Sequence, residues 1–375
     1  MKILFTGGGS GGHFYPIIAV AQELNKLIDD QKIVGVQLHY MSNDPYDARV
    51  LFENSITFSK VEAGKVRIYH SLLNVTDLFK TAFGSIRAII KIFRLFPDVV
   101  FSKGGYPSVP VVLAARLFRI PILVHESDTV PGRANSWAGK FAAKVAIAFA
   151  EAAASFPKNK TALVGMPIRR DMLNPVRQGA HEFLHLDSAI PTIMITGGSL
   201  GAQLVNNAIL DVLPRLVEKY QVIHQCGNAN YDELRGRADV ILRDNPNRSR
   251  YRLFDYLNES ALRMSAGAAD LAIIRAGATS IFETAQWGLP SIIIPITESN
   301  GDHQRKNAYS YARTGGGVVI EERNLTPNIL YSEIDRILTR DADRERMKNA
   351  ALHFATPDAA KIIAEELLAI TLSHQ

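Results

Sequence analysis

The chain contains a single cysteine, Cys226, so it can form neither an intramolecular disulfide nor a multi-cysteine metal site. One thiol fits a reducing compartment. No apolar run reaches the roughly 18 residues of a membrane span; the longest candidate, Val145 to Phe156, is short and carries Glu151. Low-complexity segments and short-period repeats are absent. With its first strand expected to begin at Lys2, no signal peptide is expected, and the reading is of a soluble, cytoplasmic protein. A DxD motif at a strand end is also missing. Asp341-Ala342-Asp343 matches the letters but lies in a charged, helical stretch and reads as solvated surface.

At 375 residues the chain is long enough for two cored domains of about 100–200 residues each. Its 47% hydrophobic and 21% charged residues are ordinary for a globular protein. A net charge of +5 and a pI near 9.1 favour anionic partners such as nucleotides or acidic lipid headgroups. The charge is uneven. Between Arg67 and Phe96 the cations Arg67, Lys80, Arg87, Lys91 and Arg94 face one acid, Asp77, amid Ile68, Leu72, Phe79, Phe83, Ile86, Ile90, Phe93 and other apolar residues. One side of such helices must face a core. The remaining apolar residues, with Phe79, Lys80, Phe83, Arg87, Lys91 and Arg94 among them, are expected to seat on an anionic membrane surface; the plain alternative is a core helix with a solvated basic face.

Two glycine clusters share a lead-in about 190 residues apart: Lys2-Ile-Leu-Phe-Thr6 before Gly7-Gly8-Gly9-Ser10-Gly11-Gly12, and Thr192-Ile-Met-Ile-Thr196 before Gly197-Gly198-Ser199-Leu200-Gly201. In each, a strand-like run meets a glycine turn and then a helical stretch (Ile17 to Ile28; Val205 to Tyr220). That is the opening of a βα unit, whose bare N–H groups at a helix N-terminus can hold an anion. Further strands are expected at Val36–Met41, Ile56–Val61, Pro97–Phe101 and Ile120–Val124, then at Tyr220–His224, Tyr251–Leu253, Leu271–Ile274, Ser291–Ile294 and Gly317–Ile320. Strands alternating with helices predict an α/β class protein with two Rossmann-like, doubly wound parallel domains. We place the first at 1–164 and the second at 165–355, with the last helix, 356–375, packing back on the first. Ligand crevices then lie beyond the strands' carboxyl ends, where Gly7–Gly12, Gly104–Gly105 and His125–Asp128 fall.

Gly7, Gly9 and Gly12 spell G-x-G-x-x-G, but the confirming acid about 20 residues on is missing; the next candidate, Asp44, comes later. A phosphate-type anion site (Gly8, Gly9, Gly104 and Gly105 included) therefore fits better than a dinucleotide site or a ligand-free turn. His13, at the mouth of this turn, is a candidate base with an expected pKa near its ordinary value of about 6.5. The densest constellation is Arg275-Ala-Gly277-Ala278-Thr279-Ser280-Ile-Phe-Glu283, then Gly288-Leu-Pro290, then Asp302-His303-Gln304. A strand delivers a small-residue turn whose amides can face a diphosphate, while Glu283 and Gln304 suit sugar hydroxyls.

Gly7–His13, His125-Glu126-Ser127-Asp128, Gly165-Met-Pro-Ile-Arg169, Gly197–Ala202 and Arg275–Glu283 with Gln304 occur in that order, and this set resembles the MurG family, the peripheral-membrane N-acetylglucosaminyltransferases of peptidoglycan synthesis (glycosyltransferase family 28). The resemblance covers nearly the whole chain. It implies a GT-B fold with the active site in the interdomain cleft. It also implies inverting transfer from UDP-N-acetylglucosamine (UDP-GlcNAc) to the 4-hydroxyl of the lipid-linked muramyl sugar of lipid I, at the cytoplasmic face of the inner membrane. Carried over by position, Ser10, Gly11 and Gly12 match the first glycine loop and, with Asp128, are expected among the UDP-GlcNAc contacts, and Arg169 and Ser199 match donor-diphosphate contacts. Leu257 stands where an isoleucine usually meets the uracil. Ala278, Thr279 and Ser280 match the loop over the diphosphate, Glu283 the ribose-binding glutamate, and Gln304 a sugar-reading glutamine. His303-Gln304 replaces a pair of adjacent glutamines found in some members, and Asp128 replaces an asparagine, so that its carboxylate is a second candidate base.

The chemistry asks for a base at the acceptor hydroxyl, typically contributing about 10²–10⁴-fold, and for preorganised donors at the departing diphosphate. The amides after Gly197–Gly201 and Arg169 are expected to supply the latter with no tightly bound cofactor and no required metal, a divalent cation being at most stimulatory. No nucleic-acid partner is expected. Three rivals stand beside this reading: a diacylglycerol glycosyltransferase of the same fold, an NAD-dependent oxidoreductase, which leaves Arg275–Gln304 idle, and a non-catalytic nucleotide-sugar sensor, for which His13 is expendable.

Overall fold

The computed structural model describes residues 1–64, 73–198, 202–297 and 299–373, with backbone alone for 73–79 and 300. Its strands are β1 Lys2–Thr6, β2 Gln37–Ser42, β3 Ile56–Lys60, β4 Val99–Ser102, β5 Ile122–Glu126, β6 Lys144–Ile147 and β7 Thr161–Leu163 in one sheet, and β8 Thr192–Thr196, β9 Gln221–Gln225, β10 Tyr251–Phe254, β11 Leu271–Ile274, β12 Ser291–Ile293 and β13 Gly317–Val319 in another. Every adjacent pair is parallel. The orders β3-β2-β1-β4-β5-β6-β7 and β10-β9-β8-β11-β12-β13 both reverse direction beside the strand that carries a glycine cluster. Strands such as β4 and β5 are buried on both faces, which is why their sequences read as unbroken apolar runs.

In the first sheet one face packs Phe5, Phe14, Ile17 and Phe101 with Ile363, Leu367 and Leu368 of the C-terminal helix Ala359–Ser373. The other face packs Leu4, Val100, Val124 and Ala115 with Ala88 and Ile92 of the helix Leu73–Leu95. The second sheet is covered on one face by Val205, Ile209, Val212 and Leu216 of the helix Gln203–Lys219 and by Leu330, Ile334 and Ile337 of the helix Pro327–Thr339. β6 and β7 were not expected: they come from the apolar stretch around Val145 and the short segment before Gly165, too brief to carry a period of their own.

The chain divides into Met1–Arg170 with Thr356–Gln375, and Asp171–Ala355. The division falls after Arg170 rather than after 164 because that short segment is tied to the first unit. Arg170 places Nε and Nη2 on the Glu23 carboxylate, its amide donates to Gln22 Oε1 at 3.1 Å, and Arg169 lies 4.3 Å above the Tyr15 ring. Arg169 thus belongs to the first unit, not to the unit that carries Glu283 and Gln304.

Candidate functional site

In the first unit β1 and β4 flank the point at which strand order reverses, the position where open α/β sheets bind ligands beyond their carboxyl ends. Ser10 caps the helix Gly11–Asp30, whose first amides have no intrahelical acceptor and open toward Gly8–Gly12. The loop is held from behind: the Tyr40 hydroxyl donates to the Gly7 carbonyl at 2.9 Å, and a side chain at Gly8 would come within 2.6 Å of Ser42 Oγ. After β4, Gly104 and Gly105 adopt φ of +86° and +79°, open to glycine at no steric cost. A side chain at Gly104 would overlap the Asn135 carboxamide, and one at Gly105 would press on the Gly8 carbonyl, with His13 in ordinary contact at 3.7 Å. The two glycine turns are packed against each other.

His13 shares a 2.9 Å hydrogen bond between Nδ1 and Ser10 Oγ. Although its edge reaches solvent, protein encloses most of the ring, and that burial, with the Lys103 ammonium, pushes its pKa down to about 3. The expectation of an ordinary histidine near 6.5 is therefore corrected for the unliganded protein. From β5 come His125, Glu126, Ser127 and Asp128. Asp128 is half-buried, with its amide on Glu126 Oε1 at 2.9 Å, while Glu126 Oε2 also accepts from the Gly132 amide and Asn135 Nδ2, both at 3.0 Å. Burial raises the Glu126 carboxyl, Asp128 adds to the rise, and Lys103 opposes it. His125 Nε2 meets the Gly165 carbonyl at 2.9 Å, and burial with Lys103 holds that ring neutral. Lys103 itself is fully buried, with Nζ donating to Ser127 Oγ at 2.8 Å. Sequence reasoning gave no role to Lys103 or Asn135, and none to Glu126 beyond its place in the His125–Asp128 motif; the signal for Lys103 was a cation directly before Gly104-Gly105.

In the second unit β8 and β11 flank the corresponding reversal. Ser199 lies outside the described residues. Gly198 adopts φ of +81°, and Gln225 at the end of β9 donates to its carbonyl at 3.3 Å while accepting from the Leu257 amide at 3.4 Å. Leu257 is buried with Leu184, Ile223 and Ala268. Gln225 was not foreseen; it joins the glycine turn to the Leu257 loop. After β11, Gly277 caps the helix Ala278–Gln286, which presents Ala278, Thr279 and Ser280 in its first turn and half-buried Glu283 beyond them. Space beside Gly277 is open. Gln304, at the start of the helix His303–Ala312, accepts from the Ile296 amide at 3.2 Å, and its own amide donates to Ser299 Oγ at 3.2 Å. Arg275 pairs with Glu322 at 2.7 Å, and Glu322 also accepts from Thr297 N and Oγ1 at 2.8 and 2.6 Å. The structure thus gathers Ala278–Ser280 and Glu283 on one helix beside the strand reversal and hangs Gln304 on the neighbouring loop. Among the described residues no group of three or more His, Cys, Asp or Glu side chains is gathered as metal ligands would be.

The helix Leu73–Leu95 turns Gly84, Ala88 and Ile92 inward and leaves Phe83, Ile86, Ile90 and Phe93 exposed by 54, 56, 46 and 65%. Phe96 and Leu117 beside them are 57 and 62% exposed. Single exposed apolar residues are ordinary, but a cluster of this kind marks an interaction surface. Lys80 and Arg94 are exposed, and Lys80 has interactions of its own; Arg87 pairs with Glu62 at 2.6 Å and stacks on Phe83, and Lys91 donates to the Lys60 carbonyl at 2.7 Å. Ile68 and Leu72 lie outside the described residues, and of Phe79 only the backbone is described. No described helix is long and apolar enough to cross a membrane.

Residues 3–147 match the glycosyltransferase family 28 N-terminal domain and 192–363 its C-terminal domain. The chain is 35% identical over 368 residues to a Bacillus cereus UDP-N-acetylglucosamine–N-acetylmuramyl-(pentapeptide) pyrophosphoryl-undecaprenol N-acetylglucosamine transferase, covering 98% of this chain and 99% of that one. It is 38% identical over 341 residues to the like-named protein of Shouchella clausii, covering 90% of each. Among solved structures it resembles Acinetobacter baumannii MurG, with a TM-score of 0.74 at 26% identity over 98% of this chain and 99% of that one. A UDP complex of Staphylococcus aureus MnaA, 14% identical with a TM-score of 0.70 over 100% and 97% of the two chains, shares the fold. With both domain matches in order and curated relatives matched over nearly their whole length, the chain belongs to glycosyltransferase family 28.

Proposed function

We propose that this chain transfers N-acetylglucosamine from UDP-GlcNAc to the 4-hydroxyl of undecaprenyl-pyrophosphoryl-N-acetylmuramyl-pentapeptide, turning lipid I into lipid II. The observation that carries this is the end-to-end match, 98% of this chain with 99% of a transferase so named. In the reaction the acceptor oxygen bonds to the anomeric carbon from the face opposite UDP, the bond from that carbon to the diphosphate breaks with its electron pair, and a base takes the hydroxyl proton. His13 is the base in this reading and Asp128 its alternative. The Gly8–Gly9 and Gly104–Gly105 turns at the head of the helix Gly11–Asp30 receive the acceptor's diphosphate, as helix N-termini receive anions, while Ser10, Gly11 and Gly12 border the UDP-GlcNAc.

The donor belongs to the second unit. Glu283 holds the ribose hydroxyls, Ala278–Ser280 and Ser199 the diphosphate, the loop at Leu257 the uracil, and Gln304 the sugar; the resemblance adds Arg169 as a charge for the diphosphate. The exposed apolar face of Leu73–Leu95 seats the protein peripherally on the inner leaflet, where Lys80 and Arg94 meet anionic headgroups. The reading calls for no resident metal.

Purified protein with labelled UDP-GlcNAc and vesicles holding either lipid I or diacylglycerol tests this reading. Label entering lipid I alone supports it; label entering diacylglycerol, or neither lipid, refutes it.

A further inference from the structure

Lys103 has no contact role in the reading above, yet it is a fully buried ammonium at the centre of the acceptor-side cluster. Its amide donates to the Thr6 carbonyl at 2.9 Å, and a side chain at Gly7 would meet its Cβ at 3.0 Å. Its stem thus underlies the start of the glycine loop. The titratable groups around it are His13 from the helix end and His125, Glu126 and Asp128 from the end of β5. None of them forms an ion pair with it among the described residues. Its side-chain partner among the described residues is the neutral Ser127 hydroxyl, and Glu126 is already occupied by two amides and Asn135. Burial lowers the Lys103 pKa, the carboxylates of Glu126 and Asp128 oppose that fall, and the ammonium they sustain acts on whatever lies near it, because screening there is weak. What lies near is the back of an anion loop and the imidazole at its mouth.

We propose that Lys103 is a positioning residue that couples anion occupancy of the Gly8–Gly12 loop to the proton affinity of His13. With the loop empty, the ammonium keeps the imidazole neutral and a weak base, consistent with the fall of the His13 pKa through burial and Lys103. With a diphosphate in the loop, two negative charges offset the ammonium, and a proton arriving on His13 is stabilised instead of repelled. The base is weak until the acceptor is seated. The coupling takes from the proposed function only that the anion is the acceptor's diphosphate.

The test is a pH titration of the ten histidines by carbon-detected magnetic resonance on the full-length protein, with the His13 signal assigned by its loss in His13→Gln and inorganic pyrophosphate as the probe anion. Lys103→Met should raise the His13 midpoint by on the order of one pH unit. Pyrophosphate should raise it in wild type and raise it less in Lys103→Met, while Lys103→Arg keeps the wild-type pattern. In transfer assays the acid limb of kcat/KM for the acceptor should move with the same variants, which a merely structural lysine would not cause. Equal midpoints in wild type and Lys103→Met, or a wild-type midpoint indifferent to pyrophosphate, overturns the proposal. If circular dichroism shows Lys103→Met unfolded, Lys103→Gln takes its place. Full transfer activity in His13→Ala would remove the base assignment and leave a measured Lys103–His13 coupling standing, so the two failures are distinguishable.

Discussion

Glu322 fastens the ends of three strands, and removing its carboxylate has a calculable cost. Arg275 follows β11, Thr297 follows β12, and Glu322 follows β13; the carboxylate joins them through contacts of 2.7, 2.8 and 2.6 Å. The paired side chains are only 12 and 14% exposed. An exposed ion pair is worth about 0–1 kcal/mol, whereas stripping one partner from a fully buried pair costs about 3–5 kcal/mol. With this partial exposure, and with an Arg275 Nε that is already buried without a partner among the described residues, Glu322→Ala should cost about 2–3 kcal/mol. Thr297→Val, which deletes one hydroxyl donor, should cost about 1 kcal/mol. Burial alone pushes the Glu322 carboxyl up, but the hydrogen bonds from Thr297 and Arg275 outweigh it and hold the pKa below the ordinary range. A depressed folded-state pKa means that the stabilisation is complete at neutral pH and fades only as pH falls through the carboxylate range.

The assay can be confined to the second unit, because the chain has two tryptophans, Trp137 in the first unit and Trp287 in the second. Trp287 is 4% exposed, with Nε1 on the Met172 carbonyl at 2.7 Å. In a Trp137→Phe background, urea unfolding followed by fluorescence reports the unit that contains Glu322. The Thr297 turn leads directly into the contacts from Ile296 and Ser299 to Gln304. Glu322→Ala should therefore weaken UDP-GlcNAc binding more than UDP binding. An unfolding midpoint equivalent to wild type within about 0.3 kcal/mol, or an equal loss for both ligands, would refute the clamp.

Glu283→Ala should weaken UDP binding by about 1.5–3 kcal/mol, the worth of a hydrogen bond to a charged group; unchanged affinity by calorimetry counts against its ribose role. His13→Ala should lower turnover by about 10²–10⁴-fold with UDP affinity intact, and if Asp128→Asn abolishes turnover while His13→Ala stays active, the roles are reversed. Lys80→Glu with Arg94→Glu should release the protein from anionic vesicles, since each cation at such a surface contributes about 1 kcal/mol; wild-type binding at physiological salt contradicts the docking face. His224, buried between Tyr251 and Asn206, is pushed by burial from 6.5 down to about 3. The unfolded chain protonates first as pH falls below about 6.5, so stability should drop by about 2–3 kcal/mol between pH 6.5 and pH 4.5 on this account. His224→Gln should flatten that slope, and parallel slopes in the two proteins would remove the histidine from the explanation.

The two glycine loops were legible because a glycine run after an apolar strand has few structural uses, and both loops lie where strand order reverses. The helical face with Phe83, Ile86, Ile90 and Phe93 was legible in its basic, apolar composition. The partners of its cations were not: Glu62 and Lys60 precede the helix, and no periodicity within it reports them. Arg169 was assigned to the second domain because Gly165-Met-Pro looks like a boundary; its position over Tyr15 depends on a contact between distant parts of the chain. His13 was recognised as a base candidate, but its proton affinity was not, because that depends on Lys103 and on enclosure that only the fold creates.

The same contrast explains why the acceptor side was the harder half to read. The groups proposed for the donor lie largely in one run, Arg275 to Glu283, where a strand, a turn and a helix start present them in sequence order. On the acceptor side His13, Lys103 and the Glu126–Asp128 segment arrive from the ends of different elements, and each alone looks ordinary. A lysine beside glycines reads as surface, and a glutamate after a strand reads as solvated. They come together only when β1, β4 and β5 lie side by side, with Thr6 opposite Ser102 and Ser102 opposite Val124. That register places the buried Lys103 ammonium, which forms no ion pair among the described residues, beneath the glycine loop. Positive potential then comes from the buried side chain and the helix end together. Replacing Lys103 should therefore lower the loop's affinity for pyrophosphate as well as change the titration of His13, while UDP binding in the second unit stays as it is.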